Sequence, residues 1–194
     1  IITYFDENST EEERWSIGFT ENASTQVTHS NAERNGASEI TPSEQIDVSD
    51  GIKLQARWTG ETPTTSDGNK IEVQQLVSFD ADQRFFRTDV VLTNTGSNAI
   101  TDLRYMRSFD PDQDLDTQGT FDTNNTVLAQ VATDSRALVV AQGPVSGVEF
   151  FFLATSGDAV VYSAGFSNPN PYNVGGRDFH SNPQPAVTDI GRVD

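Results

Sequence analysis

One short segment concentrates the residues most able to bind a metal ion. Aspartates occupy alternate positions, at Asp110, Asp112, Asp114 and Asp116. A β-strand would place all of these carboxylates on one face, where like charges repel, so we expect the preceding strand to end near Phe109. In a loop, this spacing can direct the side chains toward one point, as the first ligands of an EF-hand do. Because Ca²⁺ prefers hard oxygen ligands, the segment predicts a calcium site.

Further calcium ligands must come from outside this segment. It lacks the glycine and the glutamate that an EF-hand loop carries at its sixth and twelfth positions, so it is not an EF-hand. The next stretch, residues 119–126, offers oxygen donors in Asp122, Asn124 and Asn125. The alternative interpretation is an acidic, solvated turn without a metal. The full set of predicted metal ligands is Asp110, Asp112, Asp114, Asp116, Asp122 and Asn124.

A second candidate lies in the C-terminal stretch, residues 166–178, which is too rich in Pro, Gly and Asn for regular structure. We expect a long surface loop there, and such loops often carry function. Gly176 lets the backbone approach a ligand closely, Arg177 can clamp a carboxylate in bidentate fashion, and Asp178 can join the ion. The alternative is a flexible loop with an exposed ion pair.

The overall charge excludes several classes of protein. The chain has 194 residues, with 29 Asp plus Glu against 12 Lys plus Arg, a formal charge of -17 and no cysteine. Nucleic-acid binding is disfavoured because phosphate backbones need a basic face. Disulfides and cysteine-ligated metals are impossible, and no apolar run of about 18 residues exists to enter a membrane. Bound divalent cations would relieve the self-repulsion of so many acidic groups.

The residues of hydrolytic enzymes are poorly represented. The only histidines are His29 and His180, no cysteine is present, and no serine lies in a G-x-S-x-G motif. We therefore expect a protein that is not an enzyme. A glycosidase needs two carboxylates at a fixed separation, and that alternative stays open because 29 acidic residues always offer pairs.

Strands must position these residues. In some segments apolar and polar residues alternate with a period of two, which is typical of half-buried strands. The alternating segments are 52–58, 86–93 and 103–109. Other segments are more continuously apolar and predict strands buried on both faces or at the centre of a sandwich. The continuously apolar segments are 137–141, 148–153 and 159–162.

Turn-forming residues separate the predicted strands. They are Asp50–Gly51, residues 67–69, residues 94–98 and Gly143–Pro144. The spacing predicts an all-β fold, an antiparallel β-sandwich with long loops and at most short helices. The helix signal is a capping box that joins Ser9 to Glu12. The acidic segment 79–83 is expected to be a hairpin turn, and residues 1–194 are expected to form a single domain.

Three stretches resemble one protein family. They are residues 91–96, 103–114 and 120–127. Together they resemble the peptide-binding domain of giant bacterial adhesins of the RTX (repeats-in-toxin) type, which are exported by type I secretion and include ice-binding and biofilm adhesins. The most specific element is R-x-x-DPDQD, which begins at Arg107 and is followed by the pair Asn124-Asn125.

The resemblance implies a calcium-dependent β-sandwich that captures the carboxy-terminal residues of proteins on other cells. The terminal carboxylate of the peptide would help to coordinate calcium. Carried onto this chain, Asp110, Asp112 and Asp114 would be metal ligands, with Asp122 or Asn124 nearby. The resemblance also implies an extracellular location on the bacterial cell surface, within a larger multidomain chain. The expected partner is then the C-terminal peptide of a target-cell surface protein.

Residue type and loop position add candidates for contact with the peptide. Arg107 and Arg177 can donate charge-assisted hydrogen bonds, and Tyr172 or Phe179 can wall a pocket. The predicted ligand-binding residues are Arg107, Gln113, Asn125, Tyr172, Gly176, Arg177, Asp178 and Phe179. A calcium-dependent lectin is the alternative adhesin, in which the ion holds sugar hydroxyls and Tyr172 stacks on the ring. A structural spacer that uses calcium only for rigidity is a further alternative.

Overall fold

Strands dominate the structure. The computed structural model describes residues 13–31, 39–130, 136–155, 158–163, 170–173, 178 and 180–186. Strands make up 51% of these residues and form three antiparallel sheets, which confirms the all-β prediction. In these residues the only helix is α1 (Leu115–Gln118). The same residues contain no helix that is long and apolar enough to cross a membrane. The capping box at Ser9 lies outside the described residues.

The chain divides into two compact units, residues 15–106 and residues 1–14 with 107–194. The interpretation of residues 1–194 as a single domain stays a prediction. The strands of the first unit are β1 (Glu13–Glu21), β2 (Thr25–Ser30), β3 (Thr41–Asp47), β4 (Lys53–Glu61), β5 (Ile71–Asp80), β6 (Arg87–Asn94) and β7 (Thr101–Phe109). They form a three-stranded sheet of order β2-β1-β7 and a four-stranded sheet of order β3-β4-β5-β6.

A single apolar core joins the two sheets of this unit. Trp15, Ile17 and Phe19 are buried along β1, and Ile71 and Val73 are buried along β5. Because successive side chains of a strand point to opposite faces, the period of two places each set on one face. The partly buried residues packed against them are Val27, Trp58, Val90, Leu92, Ile100 and Tyr105. Two sheets that share one core in this way form a β-sandwich.

Strand β4 confirms the predicted alternation but exposes one end of its apolar face. Trp58 packs against the core, and Leu54 lies on the same face because it is four positions earlier in the strand, an even step. Leu54 is paired with Phe79 across β4 and β5, yet it is 59% exposed. The four-stranded sheet therefore extends past the covered part of the core.

The predicted turns fall between strands. Asp50–Gly51 connects β3 to β4, where Gly51 has a φ of 86°. Residues 67–69 connect β4 to β5, and residues 94–98 connect β6 to β7. The acidic segment that begins at Phe79 is a turn as well, since the backbone amide of Gln83 donates to the carbonyl of Asp80 over 3.0 Å. These hairpins set the register of the four-stranded sheet.

The second unit contains a three-stranded sheet of order β10-β9-β8. Its strands are β8 (Asn124–Ala129), β9 (Ala137–Gln142) and β10 (Glu149–Ala154). The buried residues of its core are Val127, Ala137 and Val161. The turn predicted at Gly143–Pro144 connects β9 to β10, as expected.

Two strand predictions for this unit are wrong. Residues 159–162 form no strand, because the backbone amide of Val161 donates instead to the side-chain oxygen of Gln130 over 3.1 Å. Strand β10 was expected to be buried on both faces. It lies at one edge of its sheet, and about half of each of three side chains is exposed. They are Phe150, Phe151 and Leu153.

Candidate functional site

The acidic segment begins where β7 ends, as predicted. Phe109 is the last residue of β7, and the centroid of its ring lies 5.6 Å from that of Phe150 and 6.2 Å from that of Phe152. Tilted and edge-on pairs of this kind are favourable contacts between aromatic rings. The contacts hold the end of β7 against β10, so Asp110 starts from a fixed position.

Residues 110–114, called here the aspartate loop, continue into a compact turn. The amide of Gln113 donates to the carbonyl of Pro111 over 2.7 Å, and the amide of Leu115 donates to the carbonyl of Asp112 over 3.2 Å. Helix α1 follows and stops at Gly119, which has a left-handed φ of 69°. A glycine accepts that conformation without strain. The loop is therefore folded tightly on itself rather than extended.

Asp114 fixes the aspartate loop to the turn between β9 and β10. Its side chain is fully buried, and its carboxylate accepts hydrogen bonds from the backbone amides of Val145 at 2.8 Å and Ser146 at 3.1 Å. Hydrogen bonds from the Ser146 side chain and from these two amides hold the pKa of Asp114 below its usual range. A β-carbon on Gly143 would lie 2.9 Å from the Asp114 carboxylate, so this approach needs glycine.

Gln113 makes a second attachment to the same hairpin. Its side-chain nitrogen donates to the carbonyl of Ala141 at 2.8 Å and lies 3.4 Å from the carbonyl of Val148. The other end of the amide, Oε1, is buried and has no hydrogen-bond partner. An amide oxygen accepts hydrogen bonds or ligates a cation. The hydrogen bond to Ala141 therefore fixes the orientation of an amide whose oxygen has no hydrogen-bond partner.

Asp110 and Asp112 are the acidic side chains of the loop whose pKa values are raised. Burial and the nearby negative charge of Asp112 raise the pKa of Asp110 from 3.8 to about 6. Burial also raises the pKa of Asp112, and its Oδ1 atom is buried without a hydrogen-bond partner. Two partly desolvated carboxylates that repel each other favour a proton or a cation between them.

The donor set fits a hard divalent cation. Asp110, Asp112 and Gln113 supply carboxylate and amide oxygens, which are the ligands that Ca²⁺ takes. No group of three or more acidic or histidine side chains that could hold a metal occurs in the described part of the chain. A cation at this pair would therefore complete its coordination with amide or backbone oxygens, water or a bound partner.

The remaining predicted metal ligands occupy different environments. Asp116 is exposed in the first turn of α1. Asp122 is exposed and accepts a hydrogen bond from the hydroxyl of Thr120 over 2.9 Å. Asn124 is buried in β8, opposite Gln142. None of these contacts links the three residues to the Asp110–Asp112 pair.

The predicted ligand-binding residues are spread over several elements. Arg107 is partly buried in β7, and the side-chain nitrogen of Asn125 donates to the hydroxyl of Thr123 over 3.0 Å. Tyr172 is 5% exposed, and Asp178 accepts a hydrogen bond from the amide of His180 over 3.1 Å. The other three predictions lie outside the described residues. They are Gly176, Arg177 and Phe179.

Comparison with known proteins does not add a relative. No protein-family model, curated protein or solved structure matches the chain. The site is therefore interpreted from its own geometry.

The sequence interpretation missed the residues that receive Asp114. Gly143 was predicted as part of a turn, but the contact of the Val145 and Ser146 amides with an aspartate 31 and 32 residues earlier was not predicted. The available signal was the chemistry of the turn itself. A Gly-Pro turn leaves backbone amides without strand partners, and such amides attract a carboxylate.

Proposed function

We propose that this protein is a calcium-dependent adhesion module that binds the C-terminal residues of peptides or proteins on other cells. In this proposal the module belongs to a larger chain on the bacterial cell surface and is not an enzyme. The cation is held by Asp110 and Asp112, with the amide oxygen of Gln113 beside them. The carboxylate of the peptide engages the same cation.

One observation carries the proposal: the neighbouring residues Asp112 and Gln113 each present a buried oxygen without a hydrogen-bond partner, and the charge of Asp112 acts on the carboxylate of Asp110. A buried acceptor that makes no hydrogen bond costs free energy, about 1–3 kcal/mol for a neutral group and more for a charged one. A bound cation removes that cost for both oxygens and cancels the repulsion within the Asp110–Asp112 pair. The high acidity of the chain supports the same conclusion.

The small number of protein carboxylates favours an anionic ligand. Ca²⁺ takes six to eight oxygens, whereas the pair supplies two carboxylates and Asp114 is already bonded to backbone amides. When bound, the cation supplies positive charge with coordination positions left over, and the free end of a peptide chain has the oxygens to fill them. Arg107, three residues before Asp110 on the chain, is the candidate to donate a charge-assisted hydrogen bond to the same group.

The burial of one aromatic residue removes the role in sugar stacking that the sequence predicted for it. A lectin stacks an exposed aromatic ring on the sugar, and Tyr172 was the candidate for that role. Tyr172 is 5% exposed, so its ring has too little free surface for stacking.

Calorimetric titration with short peptides tests the proposal. The peptides should be identical except for a free or an amidated C-terminus, and each should be titrated in calcium and in EDTA. We expect binding only for the free C-terminus in calcium. Equal binding of the amidated peptide, or binding that persists in EDTA, would rule out the proposed mode. Binding on a glycan array without peptide binding would favour the lectin alternative.

Two matched variants test whether the peptide binds at the aspartate loop. Asp112→Asn should weaken peptide binding at least tenfold, because it removes one of the two carboxylates that hold the cation. Asp158→Asn makes the same change of charge at an exposed position of the same unit, so it should bind like the wild type. Equal affinities for the two variants would locate the binding elsewhere.

A further inference from the structure

A second group of oxygen donors lies in the first unit, where β1 ends beside the loop between β4 and β5. Glu21 is the last residue of β1, and it is 4% exposed. Asn69, in the loop, is 1% exposed. Glu21, Asp67 and Asn69 are called here the Glu21 cluster. All three lie in residues 15–106, so the cluster belongs to one unit.

The carboxylate of Glu21 accepts the hydrogen bonds that hold the cluster together. Its Oε2 atom accepts hydrogen bonds from the side-chain nitrogen of Asn69 and from the hydroxyl of Thr65, each over 2.8 Å. Hydrogen bonds from Asn69 and Thr65 and an interaction with the Asp67 side chain lower the pKa of Glu21. The side-chain nitrogen of Asn22, the residue after Glu21, donates to the carboxylate of Asp67, which brings the two acidic residues to one site.

The side-chain oxygen of Asn69 is a second observation that indicates a binding site at this cluster. Its nitrogen is used by Glu21, but Oδ1 is buried and has no hydrogen-bond partner. A buried amide oxygen without a partner costs free energy. The oxygen belongs to the same amide group that contacts Glu21, so it lies at the cluster. A cation bound at the cluster would give this oxygen a partner.

No basic side chain compensates the two acids within the described residues. The ion pairs of the first unit there involve other acids, and neither Glu21 nor Asp67 takes part in one. The side-chain nitrogen of Asn22 donates to Asp67, and a side-chain nitrogen of Asn98 donates to the carbonyl of Asp67. These bonds hold the loop in place without neutralising its charge.

We propose that Glu21, Asp67 and Asn69 form a calcium-binding site that is separate from the aspartate loop. Two carboxylates and one amide oxygen are hard ligands of the kind that Ca²⁺ takes, and water can supply the rest. A site with so few charges should be weak, with a dissociation constant of about 10⁻⁴–10⁻³ M, the range of extracellular calcium modules. The site joins the end of β1 to the β4–β5 loop, so its occupation stabilises the sandwich.

Calcium binding by the whole chain tests this site. We would measure the number of bound ions by equilibrium dialysis and the melting temperature in calcium and in EDTA. Asp67→Asn should weaken binding of one ion at least tenfold. Asp82→Asn is the control, since it makes the same charge change at an exposed position of the same unit and should bind like the wild type.

Repeating the measurement in an Asp112→Asn background distinguishes the calcium binding of the two sites. The effect of Asp67→Asn should persist there, because the Glu21 cluster does not depend on the aspartate loop. Calcium binding that is the same for Asp67→Asn and Asp82→Asn, in both backgrounds, overturns the proposal.

Asn69→Asp distinguishes a metal site from a purely structural contact. The variant loses the donor to Glu21 and adds a third negative charge, so in EDTA it should melt below the wild type. In calcium it should bind the ion at least tenfold more tightly and recover its melting temperature, because a carboxylate is the stronger ligand. Equal destabilisation in calcium and in EDTA would show that the cluster serves only to connect two loops.

Discussion

The carboxylate of Asp114 and the backbone amide of Val145 form a hydrogen bond of 2.8 Å between positions that are 31 residues apart in the chain. This bond holds the aspartate loop against the turn between β9 and β10. It also divides the acidic residues of the loop by role. Asp114 is occupied by backbone amides, which leaves Asp110 and Asp112 as the carboxylates available to a cation.

Replacing Asp114 by asparagine should destabilise the fold. The amide of Asn cannot reproduce charge-assisted hydrogen bonds to two backbone amides. We expect Asp114→Asn to lower the melting temperature by roughly 5 °C in EDTA at pH 7, measured by circular dichroism. The exposed Asp158→Asn is the control and should melt like the wild type.

The destabilisation caused by Asp114→Asn should depend on pH. Because hydrogen bonds lower the pKa of Asp114 in the folded state, its contribution is present above the unfolded-state pKa, about 3.9. It is lost as the pH falls through the lower folded-state value. The difference between Asp114→Asn and the wild type should therefore shrink as the pH falls below the ordinary pKa of 3.8. A difference that does not change with pH would contradict the hydrogen-bonded carboxylate.

Gly143 should be intolerant of even the smallest side chain. A β-carbon there would lie 2.7 Å from the hydroxyl of Ser146 and 2.9 Å from the carboxylate of Asp114, closer than van der Waals contact allows. We expect Gly143→Ala to lower the melting temperature by roughly as much as Asp114→Asn. In a double variant with Asp114→Ala, the total destabilisation should be smaller than the sum of the two single effects, because one of the two clashing groups is gone. Full additivity would show that the two positions do not interact.

Asp110 should make the protein more stable in mild acid when calcium is absent. Burial and the charge of Asp112 raise its folded-state pKa to about 6, above the ordinary 3.8. Between these values the folded state binds more protons than the unfolded state, so stability falls as the pH rises through this window. Asp110→Asn does not titrate, and in EDTA at pH 7.5 it should melt roughly 2–4 °C above the wild type. Thermal melts of both proteins at pH 5 and pH 7.5 check this, and a variant that melts below the wild type at pH 7.5 would refute it.

Calcium should remove that pH dependence. A cation at Asp110 and Asp112 favours the charged carboxylates and lowers their pKa values, and it stabilises the folded state because it binds that state alone. The melting temperature of the wild type should rise with calcium and fall with EDTA, and in saturating calcium the melts at pH 5 and pH 7.5 should converge. Asp112→Asn should respond less than Asp158→Asn. An unchanged melting temperature in calcium would remove the basis of the proposed site.

Local patterns in the sequence predicted much of the fold. Alternation along residues 86–93 and 103–109 identified β6 and β7, and turn residues identified the hairpins. The end of β7 at Phe109 followed from charge repulsion and from Pro111, which lacks an amide hydrogen. These features depend on residues that are neighbours in the chain, so the sequence alone was enough to find them.

The features that local patterns could not predict depend on distant partners. The aspartate spacing suggested four equivalent ligands, but Asp114 differs from Asp110 because the amides that bind it belong to a turn some 30 residues later. The apolar segment 159–162 has the composition of a strand, but Val161 bonds to a glutamine side chain. Spacing along the chain contains no information about such pairings.

Gln130 should be the residue on which segment 158–163 depends. Its buried side chain donates to the carbonyls of Val161 and Gln184, each over 2.8 Å, and accepts from the amide of Val161 over 3.1 Å. Gln130→Leu keeps a similar volume but leaves these buried backbone groups without partners, which should cost about 2–4 kcal/mol of the free energy of unfolding in urea. Gln142→Leu, which removes a contact with Glu149 on the surface, should change it by no more than about 0.5 kcal/mol. Similar values for the two variants would mean that other contacts hold this segment in place.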